Sequence, residues 1–350
     1  MKGGAQRFGP ALLRSLPGWT AAVIAGAAAD AAGVPLAWIL GPLIATAALS
    51  ISGLPPIVPV ESRRFGQVIV GTAVGLNITP EAAARLPSWL PVMILAAVFS
   101  IVVSGALSGA LARTARVDRA TAYFAVLPGG LSEMASVGSA FGARSEAVSL
   151  SHALRIALAV ILVPALVVLI EYEQLTLRIA QREVASVPMM LLFGASALIG
   201  MRALKLVRLA NPWLLGALAA AAILSGAGLA EVRLPDPLLW LGQLLIGMSL
   251  GIRFKRDIVL RLPLFGLASA ATSLVLGAIL FGMAAAFSAA TAADLPSLLL
   301  GLSPGGFVEM TLTARALNLD IALVTGFHFV RAFTVNSIAG VVWERWFARL

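Results

Sequence analysis

There is no cysteine in the 350 residues, which excludes disulfides, thiolate chemistry and cysteine-ligated zinc. Histidine is nearly as scarce. His152 and His328 are the only two, too few for the several imidazoles that copper oxygenation wants. Charge is short as well: Asp, Glu, Lys and Arg make up 12% of the chain, against ~25% in a soluble domain. A Walker A loop and an HExxH helix are both missing. ATP-driven transport and HExxH-type metal-dependent hydrolysis are therefore not expected within this chain. What is present is apolar. The chain is 60% hydrophobic with a mean hydropathy of +0.97, which excludes disorder and an ordinary soluble domain. A formal charge of +9 would suggest nucleic acid in a soluble protein. Here no soluble basic domain remains to enter a groove, so direct contact with nucleic acid is not expected.

A spanning helix needs about 20 apolar residues. Runs of that kind fall near 17–33, 34–52, 65–79, 88–112, 146–170, 187–203, 210–229, 238–252, 264–290 and 320–343. Two more, near 120–141 and 295–316, are interrupted by Pro-Gly-Gly. The first run follows Lys2, Arg7 and Arg14 and has the look of a signal peptide. The second half opens on a matching run, so retention is expected. The polar stretch 171–186 reads as a connector.

The chain repeats itself. Pro128-Gly129-Gly130-Leu131-Ser132-Glu133-Met134 recurs 176 positions later as Pro304-Gly305-Gly306-Phe307-Val308-Glu309-Met310. The same offset relates Gln67, Gly71 and Gly75 to Gln243, Gly247 and Gly251, and Ser149, His152 and Arg155 to Thr325, His328 and Arg331. An offset of 175 relates Trp38-Ile39-Leu40-Gly41 to Trp213-Leu214-Leu215-Gly216. Several matches in one register indicate a duplication, with one membrane repeat over 1–175 and a second over 176–350.

Lys and Arg gather on the cytoplasmic side of membrane proteins. If all twelve apolar segments crossed, 13 Lys/Arg would lie inside and 10 outside, leaving aside Arg155 and Arg331 within the membrane. If each Pro-Gly-Gly segment enters and leaves on one side, ten segments cross and the count becomes 18 against 5. Five crossings per repeat turn the second half upside-down. The expected fold is therefore an all-α integral membrane protein of two inverted repeats. Each has about five crossing helices and one broken helix, re-entrant or discontinuous, with both termini cytoplasmic. Secondary transporters are often built this way, with their sites at midplane on broken helices.

Each Pro-Gly-Gly removes a donor and frees the backbone. Irregular backbone at membrane depth belongs in protein or beside water. The helix restarting after the glycines offers free N–H groups and a positive dipole end, suited to an anion. Glu133 and Glu309 fall in its first turn, as helix caps or as proton or cation sites. His152/Arg155 and His328/Arg331 are i, i+3 pairs on one helix face, which Ser149 and Thr325 extend by a turn. Histidine suits proton relay and arginine offers a planar fork to a carboxylate. An Arg–Glu pair that locks the break, and that substrate or a proton disrupts, is the expected arrangement. Gly71-x-x-x-Gly75 and Gly247-x-x-x-Gly251 read as packing faces. Trp19, Trp89, Trp240, Trp343 and Trp346 read as interfacial anchors.

The candidate substrate- or ion-binding set is Pro128, Gly129, Gly130, Glu133, Ser149, His152 and Arg155 with Pro304, Gly305, Gly306, Glu309, Thr325, His328 and Arg331. No metal or cofactor is expected.

Two copies of P-G-G-x-x-E-M, each followed by H-x-x-R about eighteen residues on, resemble the bacterial AbrB duplication family over nearly the whole chain. Members are often labelled ammonia monooxygenase or AbrB regulator. The resemblance implies an inner-membrane protein whose motif maps onto Pro128 to Met134 and Pro304 to Met310, with its later arginine at Arg155 and Arg331. One departure is Arg144, which stands where the second copy has Asp320. The leading expectation is a secondary transporter of a small solute, an organic anion, coupled to protons or cations. A membrane regulator or scaffold acting indirectly on gene expression is the alternative, and a metal-dependent monooxygenase the third. The expected partners are the lipid bilayer and a small molecule or ion, with a homodimer as a candidate assembly.

Overall fold

The computed structural model describes residues 8–171, 183–206, 211–229, 232–261, 263–291 and 293–347. Most of the connector read over 171–186 lies outside these, as do Lys2, Arg7, Arg178, Arg182, Arg208 and Arg349.

The described chain is helical throughout, apart from two paired two-residue strands, Glu183–Val184 and Val232–Arg233. The first half runs α1 (Phe8–Ala31), α2 (Ala37–Ile51), α3 (Val60–Gly75), α4 (Pro80–Ala115), α5 (Arg119–Val126), α6 (Leu131–Ala140) and α7 (Ser145–Glu171). The second runs α8 (Val187–Leu206), α9 (Pro212–Gly226), α10 (Asp236–Gly251), α11 (Arg256–Arg261), α12 (Pro263–Ala290), α13 (Leu295–Leu302), α14 (Phe307–Ala316) and α15 (Ile321–Val342). The ten uninterrupted apolar runs each become a helix. Among the described residues, five helical stretches are long and apolar enough to cross a membrane: Pro80–Ala115, Ser145–Ile170, Val187–Leu206, Pro263–Ala290 and Ile321–Phe347. This is an all-α membrane protein.

The glycine faces decide how the halves interlock. A Cβ at Gly71 would lie 2.5 Å from the carbonyl oxygen of Leu214, and one at Gly75 would strike that of Leu218. Reciprocally, a Cβ at Gly247 or Gly251 would strike the carbonyl oxygens of Ile39 or Leu43. Small residues let backbones meet this closely. So α3 packs on α9 of the other half, and α10 on α2. Matched positions make matched contacts.

Each Pro-Gly-Gly divides a segment into two half-helices that fold back on each other. Asp118 caps α5 through the backbone N–H of Thr121, and the Thr121 hydroxyl accepts from the backbone N–H of Arg144 at 2.8 Å. Residue 144 follows α6, so α6 ends where α5 began. The Phe124 and Phe141 rings stack across the pair at 5.7 Å, and Gly138 of α6 presses on Phe124. The second copy repeats the closure: Asp294 caps α13 through Ser297, whose hydroxyl accepts from Asp320 N–H at 3.0 Å. Both broken segments are hairpins. Arg144, the departure from the repeat, pairs with Asp118 at 3.8 Å across the base of the first hairpin, while Asp320 caps α15 through Leu323 N–H.

Trp343 is not an interfacial anchor. It is buried with Tyr123, Phe124 and Phe347, where the Tyr123 hydroxyl donates to Ala339 O and ties the first hairpin to the end of α15. Trp346 is exposed and Trp240 partly so.

Candidate functional site

A half-helix ending inside the protein leaves its last carbonyls without intrahelical partners. The arginines meet that need. Arg155, on α7, donates from Nη1 to Val126 O at 3.1 Å and to Leu127 O at 3.0 Å, at the end of α5. Arg331, on α15, donates to Ser303 O and, from Nη2 at 3.0 Å, to Gly305 O. A cation at a helix C-terminus also complements its dipole.

The histidines hold these arginines in place. Arg155 Nη2 donates to His152 Nδ1 at 3.0 Å, and Arg331 Nη2 to His328 Nδ1 at 2.9 Å. A guanidinium only donates, so Nδ1 must carry a lone pair. Nε2 then carries the proton, which it donates to Phe124 O in one copy and Leu300 O in the other, both at 2.9 Å. Each imidazole is thus a neutral Nε2–H tautomer with both nitrogens engaged.

The carboxylates sit at the other end of each break. Glu133 and Glu309 fold back over the glycine that begins their half-helix. A Cβ at Gly130 or Gly306 would meet that carboxylate oxygen, so the glycines leave room for the carboxylates to fold back. A third-position glutamate reaching back over the helix start follows the logic of a capping box. The expected Arg–Glu pair is not formed: neither Arg155 nor Arg331 pairs with Glu133 or Glu309. The guanidinium groups are instead spent on the carbonyls at the end of the preceding half-helix and on the histidines.

Both breaks open on one cavity of about 550 Å³, within the range of small-molecule sites. Both glycine pairs, both glutamates and both arginines line it, together with Pro128 and His328. Ser149, His152, Pro304 and Thr325 do not. Pro304 instead packs toward Gly277 of α12, and the Thr325 hydroxyl is spent on Ile321 O of its own helix.

The cavity also takes residues that the repeat gave no reason to single out. Arg63 and Gln67 enter from α3, Ser136 from α6, Asn211 from the start of α9, and Asn336 and Ser337 from α15. Arg63 is near enough to Glu309 to act on it electrostatically, and Arg253 near enough to Glu133. Gln67 showed itself as a repeated polar residue. Arg63, Asn211 and Asn336 replace Leu239, Leu36 and Val160 of the other copy, so the duplication concealed them.

Interlocked helical halves, broken hairpins and a charged cavity between them define a polytopic membrane protein with a small-molecule-sized internal site. The chain belongs to the AbrB family: the family model described as "Transition state regulatory protein AbrB" matches residues 38–347. It is 27% identical over 334 residues to "Uncharacterized protein YhjN" of Bacillus subtilis (strain 168), covering 87% of this chain and 86% of that protein. It is 26% identical over 307 residues to "Putative regulator AbrB" of Escherichia coli (strain K12), covering 86% and 87%.

Proposed function

We propose that this protein is a secondary transporter of the bacterial inner membrane that moves a small organic anion coupled to protons or cations. The observation that carries this reading is the single cavity onto which both breaks, both glutamates and both arginines open. In the proposed topology residues 1–175 and 176–350 are inverted repeats, each with five crossings and a re-entrant hairpin. The return of each hairpin to its own starting level supports the ten-crossing count, the one that gathers 18 Lys/Arg on the cytoplasmic side with both termini.

The cavity is one-sided. Ser136, Phe329, Phe333 and Ser337 line it, whereas their counterparts Leu312, Ala153, Ala157 and Ile161 do not. In the proposed topology the lining half faces the cytoplasm, and exchange of the two packings would open the other side. Glu133 and Glu309 are the coupling groups, faced by Arg253 and Arg63 respectively. A carrier rather than an enzyme is favoured because both ring nitrogens of each histidine are engaged within the protein, leaving no imidazole lone pair for copper. The regulatory name of the Escherichia coli relative fits an indirect effect, through movement of a metabolite.

The test is flux in proteoliposomes under an imposed pH gradient. Glu133→Gln and Glu309→Gln in folded protein should each lower gradient-driven flux about tenfold or more, the effect of losing ~1.4 kcal/mol of transition-state stabilisation. Unchanged flux in both variants would contradict the coupling role.

A further inference from the structure

Arg155 and Arg331 are 3% and 7% exposed, and neither has a carboxylate partner. They come from different halves yet line the same cavity and lie within electrostatic reach of each other. Each spends Nη1 and Nη2 on carbonyls and histidine. Each also retains a buried Nε–H with no partner among the described residues. A buried donor left unpaired is costly, and two buried like charges without a counter-ion are more costly still. Two buried guanidinium groups without a carboxylate partner, one from each copy at one cavity, favour an anionic ligand group between them.

The chemistry of that group follows from what surrounds it. Arginine is the residue suited to planar oxyanions. The half-helices α6 and α14 both begin at this cavity and turn their N-termini to it, which adds to its preference for negative charge. Within the lining, Arg63, Arg155 and Arg331 face Glu133 and Glu309. With Arg253 beside Glu133 as well, positive charge is left over when both glutamates are ionised, which suits an anionic ligand. Beside the polar Gln67, Ser136, Asn211, Asn336 and Ser337, the wall carries an apolar surface of Phe307, Phe329, Phe333, Leu214 and Ile246. An inorganic ion would leave that surface unused.

We infer that the cavity binds an amphipathic carboxylate, its charged end between Arg155 and Arg331 and its apolar body against the phenylalanines of the wall. This rests on the transporter reading only for the name substrate; as a binding site it stands on the geometry alone.

The experiment is binding to the purified full chain in detergent, by calorimetry and thermal shift, with benzoate, hexanoate, acetate, inorganic phosphate and benzamide as probes. Benzoate and hexanoate should bind. Acetate and phosphate, which lack an apolar body, should bind at least about tenfold more weakly, and so should uncharged benzamide, since a lost charged hydrogen bond is worth that factor. Arg331→Gln should abolish binding. Because that variant also frees the Ser303 and Gly305 carbonyls and could fail to fold, Ser136→Trp provides the second arm. It places an indole on the cavity wall, leaves every arginine bond intact, and should also abolish binding. Equal binding of benzamide and benzoate, tighter binding of phosphate, no carboxylate binding to folded wild-type protein, or full binding in folded Ser136→Trp would each overturn the inference. Carboxylate binding without any flux would instead leave the site standing and remove the transporter reading, while flux of another solute without carboxylate binding would do the reverse.

Discussion

His152 and His328 occupy the same place in the two copies, and that place fixes their work. With Nδ1 accepting from arginine and Nε2 donating to a carbonyl, neither ring has a free site for a second proton. The relay suggested by two repeated histidines in an apolar chain gives way to a positioning role, in which each histidine aims the guanidinium that closes a half-helix. His328→Ala should therefore act on stability. It orphans a buried guanidinium N–H and the Leu300 carbonyl, at about 1–3 kcal/mol for each group, and should lower the melting temperature in detergent. The pH profile of transport in the surviving folded fraction should not move. A displaced pH profile at unchanged stability would restore the relay.

The helices were legible from hydropathy because ten uninterrupted runs are long enough to be seen without any partner. The hairpins were not. An apolar run broken by Pro-Gly-Gly reads the same whether its second part continues or returns, and the decision rests on hydrogen bonds such as Arg144 N–H to Thr121. The role of the arginines was hidden for a related reason: they bond backbone carbonyls, which every residue has, so no side-chain pattern marks them. The glycine faces were legible, since residues four apart reveal close packing directly. Gly71→Val tests that reading. Its Cβ would fall 2.5 Å from Leu214 O, an overpacking of about 1–3 kcal/mol. Gly109→Val, whose Cβ would meet nothing within 4 Å, should be tolerated. Equal melting temperatures for the two variants would show that α3 and α9 do not meet this way in the membrane.

Two copies of one sequence plan build the molecule, but the site is not two copies of one surface. The repeat located both breaks, both glutamates, both arginines, both histidines and the residues a turn before them, and of these all reach the cavity except Ser149, His152, Pro304 and Thr325. What it could not show was the asymmetry. Arg63, Asn211, Ser136, Asn336 and Ser337 line the cavity, while their counterparts are Leu239, Leu36, Leu312, Val160 and Ile161. A search for repeated residues passes over the positions where the copies differ, and those positions give the cavity its unequal lining.

The absence of cysteine, which first excluded whole classes of chemistry, makes the most direct test simple. Ser136→Cys from the first half and Ser337→Cys from the second can be placed singly in an otherwise cysteine-free chain, in membranes of known sidedness. Both should react with a membrane-impermeant maleimide added from the cytoplasmic face, and neither from the opposite face. Their counterparts Leu312→Cys and Ile161→Cys should stay unlabelled. Failure of both cavity positions to label, or labelling of the counterparts at the same rate, would contradict a water-filled cavity shared by the two halves and open to one side.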